Sequence, residues 1–107
     1  MKRIALLWIL PLMALAEDSK VLVDGAGCRT RQLAIARVFE NMPEVAKVDI
    51  LPLAEAPALN QRYFVLRCDG KSPTREQLIR ALGRRAKFYH VIEVALLPQE
   101  PTRRGGR

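Results

Sequence analysis

Residues 21–52, VLVDGAGCRTRQLAIARVFENMPEVAKVDILP, hold the pattern that decides the fold. Lys20 to Val23 reads as a short strand, and Asp24-Gly25 stops it. Gly25-Ala26-Gly27-Cys28 is a loop, with two glycines for dihedrals that other residues avoid. From Thr30 the period changes. Ile35, Val38, Phe39 and Met42 fall at i, i+3, i+4 and i+7, the apolar stripe of one helix face. Pro43 ends that helix, because proline lacks an N–H and restricts the residue before it. Val45 to Leu51 alternates, with Val45, Val48 and Ile50 framing Lys47 and Asp49, and reads as a second strand.

The same order returns further on. Pro52 to Asn60 is a loop with two prolines and several alanines. Arg62 to Cys68 is rich in aromatic and β-branched residues and predicts a third strand, turned by Asp69-Gly70. Ser72-Pro73-Thr74 opens a second helix. Ser72 is the expected hydroxyl cap, Pro73 the first helical residue, and Glu76 an acid where the helix dipole favours one. Leu78, Ile79, Leu82 and Ala86 form its stripe, and His90 to Leu97 is a fourth strand closed by Pro98. Short echoes link the halves: Val23-Asp24-Gly25 with Cys68-Asp69-Gly70, Thr30-Arg31 with Thr74-Arg75, and Leu51-Pro52 with Leu97-Pro98. Two β-α-β halves predict an α+β, ferredoxin-like β-α-β-β-α-β sandwich. Right-handed crossovers then place both helices on one face of a four-stranded antiparallel sheet.

Outside this domain the chain changes character. Lys2 and Arg3 precede an uncharged, apolar run from Ile4 to Leu15. Ala14-Leu15-Ala16 has the small-x-small form of a signal-peptidase site, and Glu17-Asp18-Ser19 is polar at once. A spanning helix needs about 20 apolar residues; this run is shorter and carries Pro11. Residues 1–16 therefore read as a signal peptide, 17–98 as one domain and 99–107 as a disordered basic tail with Pro101, Gly105 and Gly106. The expected address is the periplasm or the secreted fraction, with the membrane met only transiently during export. Removing residues 1–16 leaves 91 residues and takes away Lys2 and Arg3, so the balance of +7 falls to +5. Export turns the basic charge away from nucleic acid and towards a solvated surface.

Two cysteines remain, in a compartment that permits disulfides. Cys28 sits at the start of a helix between Arg29 and Arg31, the surroundings of a reactive thiol. It is either a soft-metal ligand or redox thiol, or a small residue filling a tight loop. Cys68 lies at the far end of the third strand and reads as a core or sheet residue. Antiparallel strands separate the two by roughly 15–20 Å at about 3.3 Å per residue. A disulfide needs Cα atoms within about 7 Å, so no Cys28–Cys68 bond is expected.

The stretch Val23 to Arg31 resembles the metal loop of heavy-metal-associated domains, the family of small copper chaperones and periplasmic mercury-binding proteins. That loop reads Gly-Met-x-Cys-x-x-Cys at the end of the first strand. Met42-Pro43-Glu44-Val45-Ala46-Lys47-Val48 looks like the family's Leu-Pro-Gly-Val-x-x-Val, and the likeness extends over about residues 20–97. Gly25 matches the first glycine and Cys28 the first metal cysteine, while Ala26 replaces the methionine and Arg31 the second cysteine. The resemblance implies binding of Cu(I), Zn(II) or Hg(II) with Cys28 as ligand, or no metal at all with this degenerate motif. The position that flanks the metal falls near Lys87, and His90, two or three residues later, is the second candidate ligand. A lone histidine entering a strand reads otherwise as a surface or packing residue. A metal transporter or another envelope protein is the implied partner, and a monomer or weak homodimer the implied state. The alternatives are a protein-interaction module without metal, and a thiol protein that forms mixed disulfides through Cys28.

Other chemistry is thin. No nucleophile–histidine–acid set, paired carboxylates, phosphate loop or zinc-spaced cysteines stand out, so no enzyme is expected. RNA-recognition domains share the element order. Arg62-Tyr63-Phe64-Val65 is a poor echo of their aromatic strand, and Val21-Leu22-Val23 offers no stacking aromatic.

Overall fold

The computed structural model describes residues 16–98. The expected signal peptide, apart from Ala16, and the expected tail lie outside the described residues. Strand β1 spans Asp18–Asp24, helix α1 Arg29–Glu40, β2 Val45–Ile50, β3 Gln61–Cys68, helix α2 Arg75–Leu82 and β4 His90–Leu96. Short 3-10 turns occupy Leu53–Glu55 and Gly83–Lys87. The sheet order is β2-β3-β1-β4, and every neighbouring pair is antiparallel. This is the ferredoxin-like α+β arrangement. Among the described residues no helix is long and apolar enough to cross a membrane.

Alternation along the central strands divides the sheet into two faces. Val21 and Val23 from β1 and Phe64 and Leu66 from β3 point to the helices and are essentially sealed from solvent. Ile35 and Phe39 from α1, and Leu78 and Leu82 from α2, meet them in one core. Phe39 and Phe64 pack edge to face with ring centres 6.0 Å apart, the geometry that ring quadrupoles prefer. Val38 and Met42, expected on the same stripe, are only partly buried at its edge, and Ala36 and Gln32 take the inner positions. The inner face is thus Gln32, Ile35, Ala36 and Phe39, again at i, i+3, i+4 and i+7, and Met42 lies beyond the helix, which ends at Glu40.

The opposite face carries charged side chains around Leu22 and Val65, which are buried there. Arg67 joins Asp18 at 3.4 Å and Asp49 at 3.3 Å, and Lys47 lies 3.8 Å from Asp49. Lys20 Nζ sits 4.4 Å from the centre of the Tyr63 ring. Tyr63 is thus covered by a cation, while Phe64 belongs to the core.

The start of α2 departs from the expected cap. The helix begins at Arg75, not Pro73, and its cap is Thr74. Thr74 Oγ1 accepts from Gln77 N at 3.2 Å, and Gln77 Oε1 accepts from Thr74 N at 2.8 Å. This reciprocal capping box satisfies two donors at once, which Ser72 followed by Glu76 does not offer. Ser72 is buried instead, and its N–H donates to Glu17 Oε1 at 2.9 Å. The other end also differs. Gly83 takes φ +58, so Ala86 sits in the 3-10 turn beyond the helix. At the outer edge of β4, Arg75 Nε donates to Val91 O at 2.9 Å, occupying an acceptor that an edge strand leaves open.

Candidate functional site: the Cys28 loop

Three loops converge at one end of the sheet. Asp24 at the end of β1 pairs with Gln61 on one side and His90 on the other. The segments after β1, before β3 and before β4 are therefore neighbours, with the first in the middle.

The middle loop is held by its backbone. Gly25 N and Ala26 N both donate to Asn60 O, each at 2.8 Å. Gly25 has φ +92, and a Cβ there would run into the Phe88 carbonyl oxygen and lie 3.3 Å from the Tyr89 ring. Ala26 is fully buried, and its carbonyl accepts from the buried Gln32 side chain at 3.0 Å. A Cβ on Gly27 would lie 2.9 Å from Asn60 Oδ1. The β3-side loop is fixed in turn by Arg62, whose guanidinium donates to Leu59 O at 3.0 Å and Gln61 O at 2.7 Å. Arg62 is buried and makes these bonds with no carboxylate partner among the described residues.

Cys28 emerges from this clamp as the N-cap residue of α1, with φ −120° and ψ 159°. Its carbonyl accepts from Gln32 N at 3.0 Å, and its side chain makes no capping bond. The thiol is exposed and free. Arg29 and Arg31 are exposed beside it. Arg31 brings a cation and no soft donor. Ala26 is a small, fully buried side chain.

His90 is placed differently. Val91 points into the core at 2 % exposure, so alternation sends His90 to the face away from the helices, with Asp24. Cys28 caps a helix on the other face. The fold brings the two candidate ligands to the same end but not to the same side of the sheet. Among the described residues no group of three or more histidine, cysteine and carboxylate side chains is placed to hold a metal ion.

Cys68 is remote. Asp18 pairs with Arg67 and Asp24 with Gln61, so six residue steps of β1, about 20 Å, separate the two ends. No disulfide can span that. The Cys68 thiol is buried and donates to Leu66 O at 3.8 Å. Burial pushes its pKa up. The Ser72 hydroxyl beside it works the other way, although it forms no well-aligned hydrogen bond, and the charges of Asp18, Glu44 and Asp69 add to the rise.

Sequence reasoning found Cys28, its loop and the segment near Lys87. It missed Asn60 and Arg62, which act through backbone carbonyls that carry no residue signature. It also missed Leu59, 74 % exposed; Phe88 is placed at this end by the element order, but its 70 % exposure is not legible there. Neither a protein-family model nor a curated protein matches the chain.

Proposed function

We propose that this is an exported domain of the heavy-metal-associated type, not an enzyme, which offers Cys28 as a single soft donor to an ion such as Cu(I), Zn(II) or Hg(II). The observation that carries the reading is the placement of Cys28. It is an exposed, free thiol on a rigidly clamped loop, at the junction of β1 and α1 where the resemblance puts the first metal cysteine. One thiolate holds a soft ion weakly, so a second donor comes from a partner, in this reading a metal transporter or another envelope protein. A monovalent ion between two thiolates carries net charge −1, which suits the cations of Arg29 and Arg31. His90 is set aside as a ligand because it belongs to the other face.

Titration of the protein with Cu(I) or Hg(II) against a competing chelator tests this. Binding is expected to be lost in Cys28→Ser and kept in Cys68→Ser. Equal binding by both variants, or none by the native chain, refutes it.

The exposure of Leu59 and Phe88 on either side of the loop favours a second reading, a docking module that holds no metal. Under that reading the titration is silent while substitution of Leu59 or Phe88 still abolishes capture of the partner. A dimer on non-reducing gels that disappears in Cys28→Ser would point instead to mixed-disulfide chemistry.

A further inference from the structure

We infer that the end of the sheet carrying the Cys28 loop docks on an anionic lipid surface, with Leu59 and Phe88 entering the interfacial layer and a collar of arginine and lysine meeting the headgroups.

The apolar part of the argument is exposure. Leu59 and Phe88 are the most exposed large apolar side chains among the described residues, at 74 % and 70 %, and Leu53, 46 % exposed, lies on the same loop as Leu59. They are not scattered. Leu59 adjoins Gly27, and Phe88 adjoins Gly25, so they stand on opposite sides of one short segment. The sheet order places them on the β3 and β1–β4 sides, two strand spacings or about 10 Å apart.

The charge is equally one-sided. Arg29 and Arg31 begin α1 at this end, and Arg84, Arg85 and Lys87 lie in the 3-10 turn that leads to Phe88; all five are exposed. The described acids here are Asp24 and Glu55, and Asp24 is engaged by Gln61 Nε2 at 3.5 Å. The far end is more balanced, with Glu17, Asp18, Glu44 and Asp69 set against Arg67, Lys71 and Arg75.

Cations around projecting apolar side chains match an anionic bilayer, where each basic residue near the surface and each inserted apolar group adds to affinity. A second copy in end-to-end contact would set five cations against five. An acidic protein would match the charge. Separate side chains on projecting loop tips, however, fit a fluid apolar layer better than the flat, contiguous patch of a protein interface. This contact goes beyond the transient passage through a membrane that export entails, and it does not depend on metal binding.

The test is vesicle sedimentation with the protein recovered from the soluble fraction of cells expressing the full chain. Vesicles of phosphatidylcholine with about one-third phosphatidylglycerol are compared with pure phosphatidylcholine. Binding to the anionic vesicles is expected to be at least about tenfold tighter and to be released by high salt. Arg29→Gln with Lys87→Gln is expected to weaken it by about 25-fold, near fivefold for each cation. Leu59→Ser with Phe88→Ser is expected to weaken it about tenfold or more, with an unchanged circular dichroism spectrum. Cys28→Ser is expected to bind vesicles normally, which separates this outcome from that of the metal titration. Equal binding to both vesicle types, no binding by the folded native protein, or indifference to the Leu59 and Phe88 pair overturns the inference; no vesicle binding would assign the surface to an acidic protein.

Discussion

Replacing Gly25 with alanine should unlock the Cys28 loop at a cost that the structure sets. Two effects add. At φ +92 an L side chain is strained, and residues held in such sparsely populated regions cost about 1–3 kcal/mol. The new methyl would also meet the Phe88 carbonyl oxygen, backbone that cannot rotate away, and overpacking of that kind costs about 1–3 kcal/mol. Together they remove about 2–6 kcal/mol from a domain whose total stability is of the order of 5–15 kcal/mol. Two other glycines separate the effects. Gly83 has φ +58 but nothing within 4 Å of a Cβ, so Gly83→Ala carries only the conformational cost. Gly27 has no positive φ and would meet mainly the movable end of the Asn60 side chain, so Gly27→Ala should cost under about 1 kcal/mol. Urea unfolding followed by far-ultraviolet circular dichroism measures all three. The expected order of destabilisation is Gly25→Ala, then Gly83→Ala, then Gly27→Ala, with the first lowering Tm by about 10 °C or more. In a Cys68→Ser background, Gly25→Ala should also change the rate at which Cys28 reacts with a disulfide reagent. If Gly25→Ala proved no more destabilising than Gly83→Ala, the loop would not be wedged against Phe88, and the rigid presentation of Cys28 would be wrong.

Two further perturbations probe the frame. Cys68 has its pKa raised by burial above the ordinary 9.0. The unfolded thiol therefore ionises before the folded one. Its contribution to stability is complete below about pH 9.0 and is lost as pH rises through the folded pKa. The fall in stability between neutral and strongly alkaline pH should accordingly be steeper in the native chain than in Cys68→Ala, and parallel curves would refute the buried-thiol assignment. Thr74→Ala removes the capping box of α2 and should cost about 1 kcal/mol by urea unfolding, whereas Ser72→Ala, at the cap position that the sequence suggests, should leave the helix start intact.

The element order was legible because its signals are local. Ile35 and Phe39 announce a helix by spacing, Gly25 and Gly27 a loop, and the Val48-Asp49-Ile50 alternation a strand. The separation of the two cysteines was legible too, since antiparallel register follows from that order. The cap of α2 was misjudged because Ser72-Pro73 and Thr74-Arg75-Glu76-Gln77 are both valid starts by residue type. Buried Ser72 and its link to Glu17, 55 residues away, decide between them.

The sequence by itself determined the two β-α-β halves and put Cys28 at the tip where the first strand gives way to the first helix, with Arg31 three residues on. Periodicity and turn chemistry act over a few residues and need no knowledge of the rest of the chain. Tertiary structure alone decided what surrounds that tip. It brought Asn60 and Phe88 against the glycines, sent His90 to the opposite face, and left Leu59 and Phe88 bare at one end of the sheet. Those neighbours come from segments some thirty residues or more apart, and the register of β3 and β4 against β1, not any local propensity, sets which side chains meet there.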